Sequence, residues 1–341
     1  MDNRQNMVIL DWGQFSRDVR RDVRNCALFL FFFYAVYLIA ALIVTFAGLF
    51  RSSSFLDLVS DPSGMVGMSG GLAGPDLQNL TDELTGSLNE SVGLMSIVGI
   101  AAGSCVFFLL RRQRFITDLA KPASEPLTPK IFFILVLATQ AIQLVYSLIV
   151  TLVDELLPEG ISLLENYGEA MAGMATPIGY VYIVLIGPIF EELIFRGAVM
   201  GSLRKYGDNF AILFSAIFFG FYHAIILQIP FGFVMGLLLG YAACRWSLRL
   251  SIVLHIIVNG MSTLLSATGN EDFATAGGLF MIICTILTVV FLIKWRDVFK
   301  QRVRAGAAYY PRTYKYGFSS IAFWVFLVVM ASAGFLMMAA M

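Results

Sequence analysis

The sequence predicts an all-α fold: a polytopic bundle of about nine transmembrane helices, N-terminus in the cytoplasm and C-terminus outside. Three observations point there. Of 341 residues, 58% are hydrophobic and only 13% charged, about half the charged share of a soluble domain. The apolar residues gather into runs near the roughly 20 residues that a spanning helix needs. The remaining charges then sort by side, as the positive-inside rule requires. This composition excludes a disordered chain and a disulfide scaffold. With a net charge of +0 there is no basic field for a phosphate backbone, so nucleic acid is excluded as a partner.

The runs, in order, are 26–50, 91–110, 131–153, 177–203, 209–227, 229–244, 250–267, 276–293 and 319–340. The first follows a polar cytoplasmic segment, 1–25, with no small-residue cleavage site, so it reads as a retained anchor. The organisation expected is an N-terminal group of helices over 26–153 with an outer loop at 51–90, a central core over 177–267, and C-terminal helices over 276–341 with a basic cytoplasmic loop at 294–318. The sixth run carries Gly232, Gly236 and Gly240 on one face, the pattern of a close helix contact. The four cysteines, Cys26, Cys105, Cys244 and Cys284, lie in apolar runs and read as reduced core residues.

Charge gives the orientation. With the N-terminus inside, the cytoplasmic segments hold Arg4, Arg17 to Arg24, Arg111 to Lys130, Arg204, Lys205, Arg245, Arg249 and Lys294 to Lys315. Of the 23 basic residues only Arg51 and Arg196 fall elsewhere, Arg51 at an outer helix end and Arg196 inside a run. The outer loops are acidic, from Asp57 to Glu90, Asp154 to Glu169, and Glu271 with Asp272. The outer loop also carries two glycosylation sequons, Asn79 and Asn89, and a Gly67-Met68-Ser69-Gly70 string. That string fits a serine-protease pattern, but it sits in a polar loop with no histidine near it in any expected span.

Among the 23 acids only Glu191 and Glu192 lie within a run, and the chain's two histidines, His223 and His255, are both intramembrane. An ionised group at mid-bilayer costs about 2.5–3.5 kcal/mol on insertion scales, so two adjacent ones need a reason. Consecutive residues on a helix point about 100° apart. Arg196 follows Glu192 by four residues and can pair with it, which leaves Glu191 freer to face a cavity. Pro188 removes a helix hydrogen bond just before them and is expected to kink the span. Asn259 shares a helix face with His255. By residue count His255 sits roughly 10 Å shallower than Glu191 and His223, at ~1.5 Å per residue.

A carboxylate, two imidazoles and an amide in a dry pocket suit hydrolysis by activated water. Glu191 can serve as general base, and His255 and Asn259 as donors to an oxyanion. The alternative is a divalent metal such as zinc on Glu191, His223 and His255. HExxH is absent, and no Asp lies in a run, so a two-aspartate site is excluded.

Three motifs stand in order on successive runs: Glu191-Glu192-Leu193-Ile194-Phe195-Arg196 (EExxxR), Phe219 to His223 (FxxxH) and His255 to Asn259 (HxxxN). Over about 177–265 the chain resembles the CPBP intramembrane protease family, which includes CAAX prenyl endopeptidases and bacteriocin-immunity-like proteins. The resemblance implies an endopeptidase acting on membrane-associated or lipidated peptides at a site open to the cytoplasm. Glu191 with His223 would activate water, and His255 with Asn259 would stabilise the oxyanion. Glu192 and Arg196 would orient the site, and Phe219 would line it. Both metal-dependent and glutamate-based mechanisms are argued for the family; the glutamate-based one, without cofactor, is favoured here. The expected partners are membrane lipids and a membrane-associated peptide or protein substrate. The expected location is the plasma membrane of a bacterium. The competing classes are a non-catalytic immunity or scaffold protein, and a proton-coupled transporter, against which the absence of evident inverted repeats counts.

Overall fold

The computed structural model describes residues 11–50, 60, 85–86, 91–105, 125–268, 270–307, 310 and 312–339. Almost all of the outer loop, with Asn79, Asn89 and the Gly67–Gly70 string, lies outside them. Every regular element among the described residues is helical. The principal helices are α1 (Trp12–Leu49), α2 (Ser91–Cys105), α3 (Pro129–Glu155), α4 (Leu163–Ala172), α5 (Pro177–Tyr206), α6 (Asp208–Tyr222), α7 (Gln228–Arg245), α8 (Leu248–Ala267), α9 (Glu271–Lys294), α10 (Arg296–Ala305), α11 (Thr313–Phe318) and α12 (Ile321–Ala339).

Among the described residues six helices are long and apolar enough to cross a membrane: α1, α3, α5, α7, α8 and α9. The other three expected runs are also helical but shorter, at Ser91–Cys105, Asp208–Tyr222 and Ile321–Leu336. The 15 residues of α6 reach about 22 Å at 1.5 Å per residue, short of a ~30 Å hydrocarbon core. Helix starts fall where cap chemistry puts them: Thr128 and Thr176 each cap a helix whose next residue is proline, and Ser247 and Asn270 cap α8 and α9.

Helices α5 to α8 form the centre. On one side α1, α11 and α12 pack against α5 and α6 through Leu30, Phe33, Phe195, Phe210, Phe214, Phe218, Phe323 and Phe326. On the other, α3 packs against α7 and α8 through Leu135, Met235, Leu239, Leu250 and Leu254. The closest pair is α6–α7. A Cβ on Gly232 would stand 3.1 Å from Gly220 Cα, one on Gly236 3.0 Å from Ala216 Cα, and one on Gly240 3.2 Å from Ile212 Cγ2. The four-residue glycine repeat thus meets a four-residue repeat on its partner, which lets the two backbones touch.

The α6–α7 turn is covered by α4, whose Leu163, Asn166 and Tyr167 line a small cleft with Ile225, Ile226 and Leu227. Asp154 holds α4 in place, accepting the Leu163 and Leu164 amides at 2.5 and 3.2 Å and the Ser162 hydroxyl at 2.9 Å. Three of the four cysteines are buried; Cys105, at the end of α2, is exposed, so its apolar run does not place it in the core.

Candidate active site

The site is built on α5, where the hydrogen-bond register changes. Two π-helical stretches, Tyr182–Ile186 and Leu193–Met200, flank a short α segment, Gly187–Glu192, that carries both glutamates. Such wide turns are rare and occur mostly at functional sites. Pro188 accounts for the first. The Gly187 amide donates to the Tyr182 carbonyl, five residues back. The next bond in this register would run from residue 188 to the Ile183 carbonyl, and proline has no N–H to give. Asn259 takes that carbonyl instead, its Nδ2 donating at 2.9 Å. The expected kink at Pro188 is thus expressed as a register change, and the carbonyl it frees anchors α8 to α5.

The two glutamates are placed differently. Glu192 is fully buried and held by three partners. Arg196 Nη1 lies 2.9 Å from its Oε1, His255 Nδ1 lies 3.0 Å from the same oxygen, and the Ser251 hydroxyl donates to Oε2. Ser251 Oγ also lies 3.0 Å from the Leu239 carbonyl, so its single proton serves one acceptor at a time. Glu191, 8% exposed, makes no hydrogen bond among the described residues. Its ion-pair contact among the described residues is His255 Nε2, 3.7 Å from Oε2, beyond hydrogen-bond length. His255 therefore bridges the pair, with Nδ1 on the engaged carboxylate and Nε2 facing the unengaged one.

Phe219 ties the remaining groups together. The Arg196 guanidinium sits over its ring, 4.3 Å from the centroid. His223 meets the same ring edge-on at 4.9 Å and His255 at 5.6 Å. His223 Nδ1 lies 2.9 Å from the Phe219 carbonyl. A carbonyl only accepts, so Nδ1 carries the proton and Nε2 is the free nitrogen in the neutral ring. His223 closes the C-terminal end of α6, and Ala224 after it takes a positive φ of 51° to turn the chain toward α7. The α6 helix thus ends on its histidine.

The structure brings Glu191, Glu192, Arg196, Phe219 and His255 into one contact group. Asn259 joins it through the backbone of α5 and His223 through Phe219. His223 makes no ion pair with either glutamate among the described residues. The shallow position computed for His255 is absorbed in two ways. Helix α8 starts inside the protein, with Trp246, Leu248 and Leu250 buried, and the π turns of α5 place more residues in each turn than an α-helix does.

Sequence reading missed Ser251, although Ser251, His255 and Asn259 follow each other at four-residue steps on one face. It also missed the tyrosines. Tyr37 of α1, Tyr182 of α5 and Tyr222 of α6 all interact electrostatically with Glu191. Among the described residues no three His, Cys, Asp or Glu gather as a ligand set, Glu191, His223 and His255 included.

No curated protein and no solved structure matches the chain. The family resemblance carried by the three motifs is borne out over the central helices: residues 174–261, which contain all three, match the family model described as Rce1-like, type II CAAX prenyl endopeptidase.

Proposed function

We propose that the protein is an intramembrane endopeptidase of the CAAX type that hydrolyses a peptide bond of a membrane-associated, lipidated substrate with water activated by Glu191. One observation carries the reading: of two adjacent buried carboxylates, Glu192 is engaged by Arg196, His255 and Ser251, whereas Glu191 has no hydrogen-bond partner among the described residues. A fully engaged carboxylate cannot accept a proton from water without losing its partners. An unengaged one in a water-poor site can.

In this mechanism Glu191 takes a proton from water, and the hydroxide oxygen bonds to the substrate carbonyl carbon while the carbonyl electron pair moves onto oxygen. The proton then passes to the leaving amine as the C–N bond breaks. His223, with Nε2 free, assists the water. His255, its Nδ1–H held by Glu192, donates to the developing oxyanion from Nε2–H as an imidazolium, and Asn259 donates its second N–H. Glu192 and Arg196 hold His255 in place, so their part is positioning. The match to a prenyl endopeptidase model supports a prenylated substrate. The confinement of intramembrane charge to these groups supports an enzyme over a scaffold.

The test is cleavage of an internally quenched, farnesylated CAAX peptide by the detergent-purified protein. Turnover by the wild type and none by Glu191→Ala supports the reading; equal turnover by both contradicts it. Activity that survives a chelator supports the glutamate mechanism. A stoichiometric zinc whose removal abolishes activity, and whose return restores it, would overturn it. The nine-span, N-in and C-out arrangement belongs to the same proposal, and a C-terminal tag reached from the cytoplasm would refute it.

A further inference from the structure

We propose that α10 lies in the membrane surface as an amphipathic helix and binds anionic phospholipid there. Its neighbours fix its depth. Helix α9, just before it, has 24 residues, about 36 Å at 1.5 Å per residue. That is enough to cross a ~30 Å hydrocarbon core and bring Lys294 out at its surface. There Lys130 Nζ, from the first turn of α3, stands over the Trp295 ring, 4.7 Å from its centroid. Helix α10 stays at that level because it is tied to the ends of two more helices. The Val303 and Gly306 carbonyls accept from Nδ2 and the amide of Asn209, at the start of α6, at 2.6 and 2.8 Å. The Arg302 carbonyl accepts from Arg245 Nη2, at the last residue of α7, at 3.0 Å. The surface is thereby joined by direct hydrogen bonds to α6, the helix that ends on His223.

The side chains of α10 sort by face. Arg302 turns to the bundle, with Nη2 3.1 Å from Glu125 Oε2 and Nη1 3.4 Å from the Tyr241 hydroxyl. The Phe299 ring meets the Tyr241 ring at 6.2 Å. At about 100° per residue, Val298, Phe299 and Val303 fall within about 100° of Arg302, whereas Arg296, Lys300 and Arg304 stand about 120–160° from it. The half facing the bundle is apolar around one arginine, and the half turned away is basic. The bundle does not cover the apolar half: Val298 is 50% exposed, Phe299 48% and Val303 41%. At the end of a lipid-exposed helix, the boundary between headgroups and acyl chains surrounds such residues, and a helix with Lys and Arg on its polar face settles there. Arg296 is 3.6 Å from Asp297, and Lys300 and Arg304 make no ion pair among the described residues. Their complement is a phosphate headgroup with net negative charge. With the N-terminus inside, this is the cytoplasmic leaflet, the one whose lipids attract such basic segments.

The experiment follows amide hydrogen exchange of residues 296–305 by mass spectrometry in nanodiscs of phosphatidylcholine and of phosphatidylglycerol. The two faces of a nanodisc are alike, so the result does not depend on orientation, and no reading uses catalytic activity, so it stands apart from Glu191. The proteins are wild type, Val303→Ser, and the triple variant Arg296→Gln, Lys300→Gln, Arg304→Gln. In the wild type, exchange should be about 5- to 50-fold slower in phosphatidylglycerol, roughly fivefold for each basic residue engaged, and high salt should narrow the difference. The triple variant should exchange alike in the two lipids. Val303→Ser should exchange faster than wild type in both, because it weakens the apolar hold that the two lipids share. Equal wild-type rates in the two lipids, or the same slowing in the triple variant, overturns the proposal. So does slowing by inorganic phosphate in phosphatidylcholine nanodiscs to the extent seen with phosphatidylglycerol, which would assign the surface to a free anion. Slowing by added polyglutamate alone would assign it to an acidic protein partner and overturn the proposal as well.

Discussion

Helices α5 and α9 are both long and apolar enough to cross a membrane, yet they are built on opposite terms. In the apolar stretch of α5, 44% of residues are buried inside the protein; in that of α9 only 17% are. The difference is visible in what each tolerates. Helix α9 exposes Ile282, Ile283, Ile286, Val289 and Val290, which lipid solvates as well as protein does. Helix α5 carries Glu191, Glu192 and Arg196, each at most 8% exposed, because Arg196 is the counter-charge to Glu192 within the helix and its neighbours supply hydrogen bonds that lipid lacks. Among the described residues the buried carboxylates and guanidinium lie on the helix wrapped by other helices, and there they form one network with His255.

That contrast can be broken most sharply at Arg196. Arg196→Leu leaves Glu192 buried without its cation, which should cost about 3–5 kcal/mol, seen as a collapsed thermal midpoint in detergent. Next comes the contact that brings α6 and α7 together. Gly220→Ala puts a Cβ 2.5 Å from the Ile229 carbonyl and 2.9 Å from the Phe233 amide, so backbone must move. About 1–3 kcal/mol of stability should be lost, with His223 displaced and activity falling as well. Asn259→Ala strands the Ile183 carbonyl and should cost a similar ~1–3 kcal/mol; Asn259→Gln is the variant that checks whether the amide or its reach is decisive. At the other end, Ile286→Val on the exposed face of α9 should stay within about 0.5 kcal/mol of wild type. A large loss there would mean that α9 is covered by a partner rather than by lipid.

The sequence made the central helices legible because charge is rare in it. Two acids, one base and two histidines inside apolar runs need no alignment to stand out, and their four-residue spacings predicted the Glu192–Arg196 pair that the structure forms at 2.9 Å. Apolar run length located the helices, and helical spacing their charged pairs. What periodicity missed is what departs from the α period. The π turns of α5 cannot be read from a 3.6-residue pattern, and with them went Tyr182, the freed Ile183 carbonyl and the depth of His255. Residue counting at 1.5 Å per residue set His255 too shallow because it assumed that α8 begins at the membrane surface, whereas it begins among buried side chains. Tyr37 was beyond reach for another reason: it comes from α1, more than a hundred residues away, and only packing brings it to Glu191.

The division of labour between the two glutamates is tested most directly by making the same substitution at each and measuring turnover and stability together. Glu191→Gln removes basicity from an unengaged carboxylate, so kcat should fall by about 10²–10⁴-fold while the thermal midpoint stays at the wild-type value. Glu192→Gln breaks a charge pair with a buried arginine, so midpoint and activity should fall together. The reverse pattern, an active Glu191→Gln and a stable but inactive Glu192→Gln, would contradict the assignment of Glu191 as base.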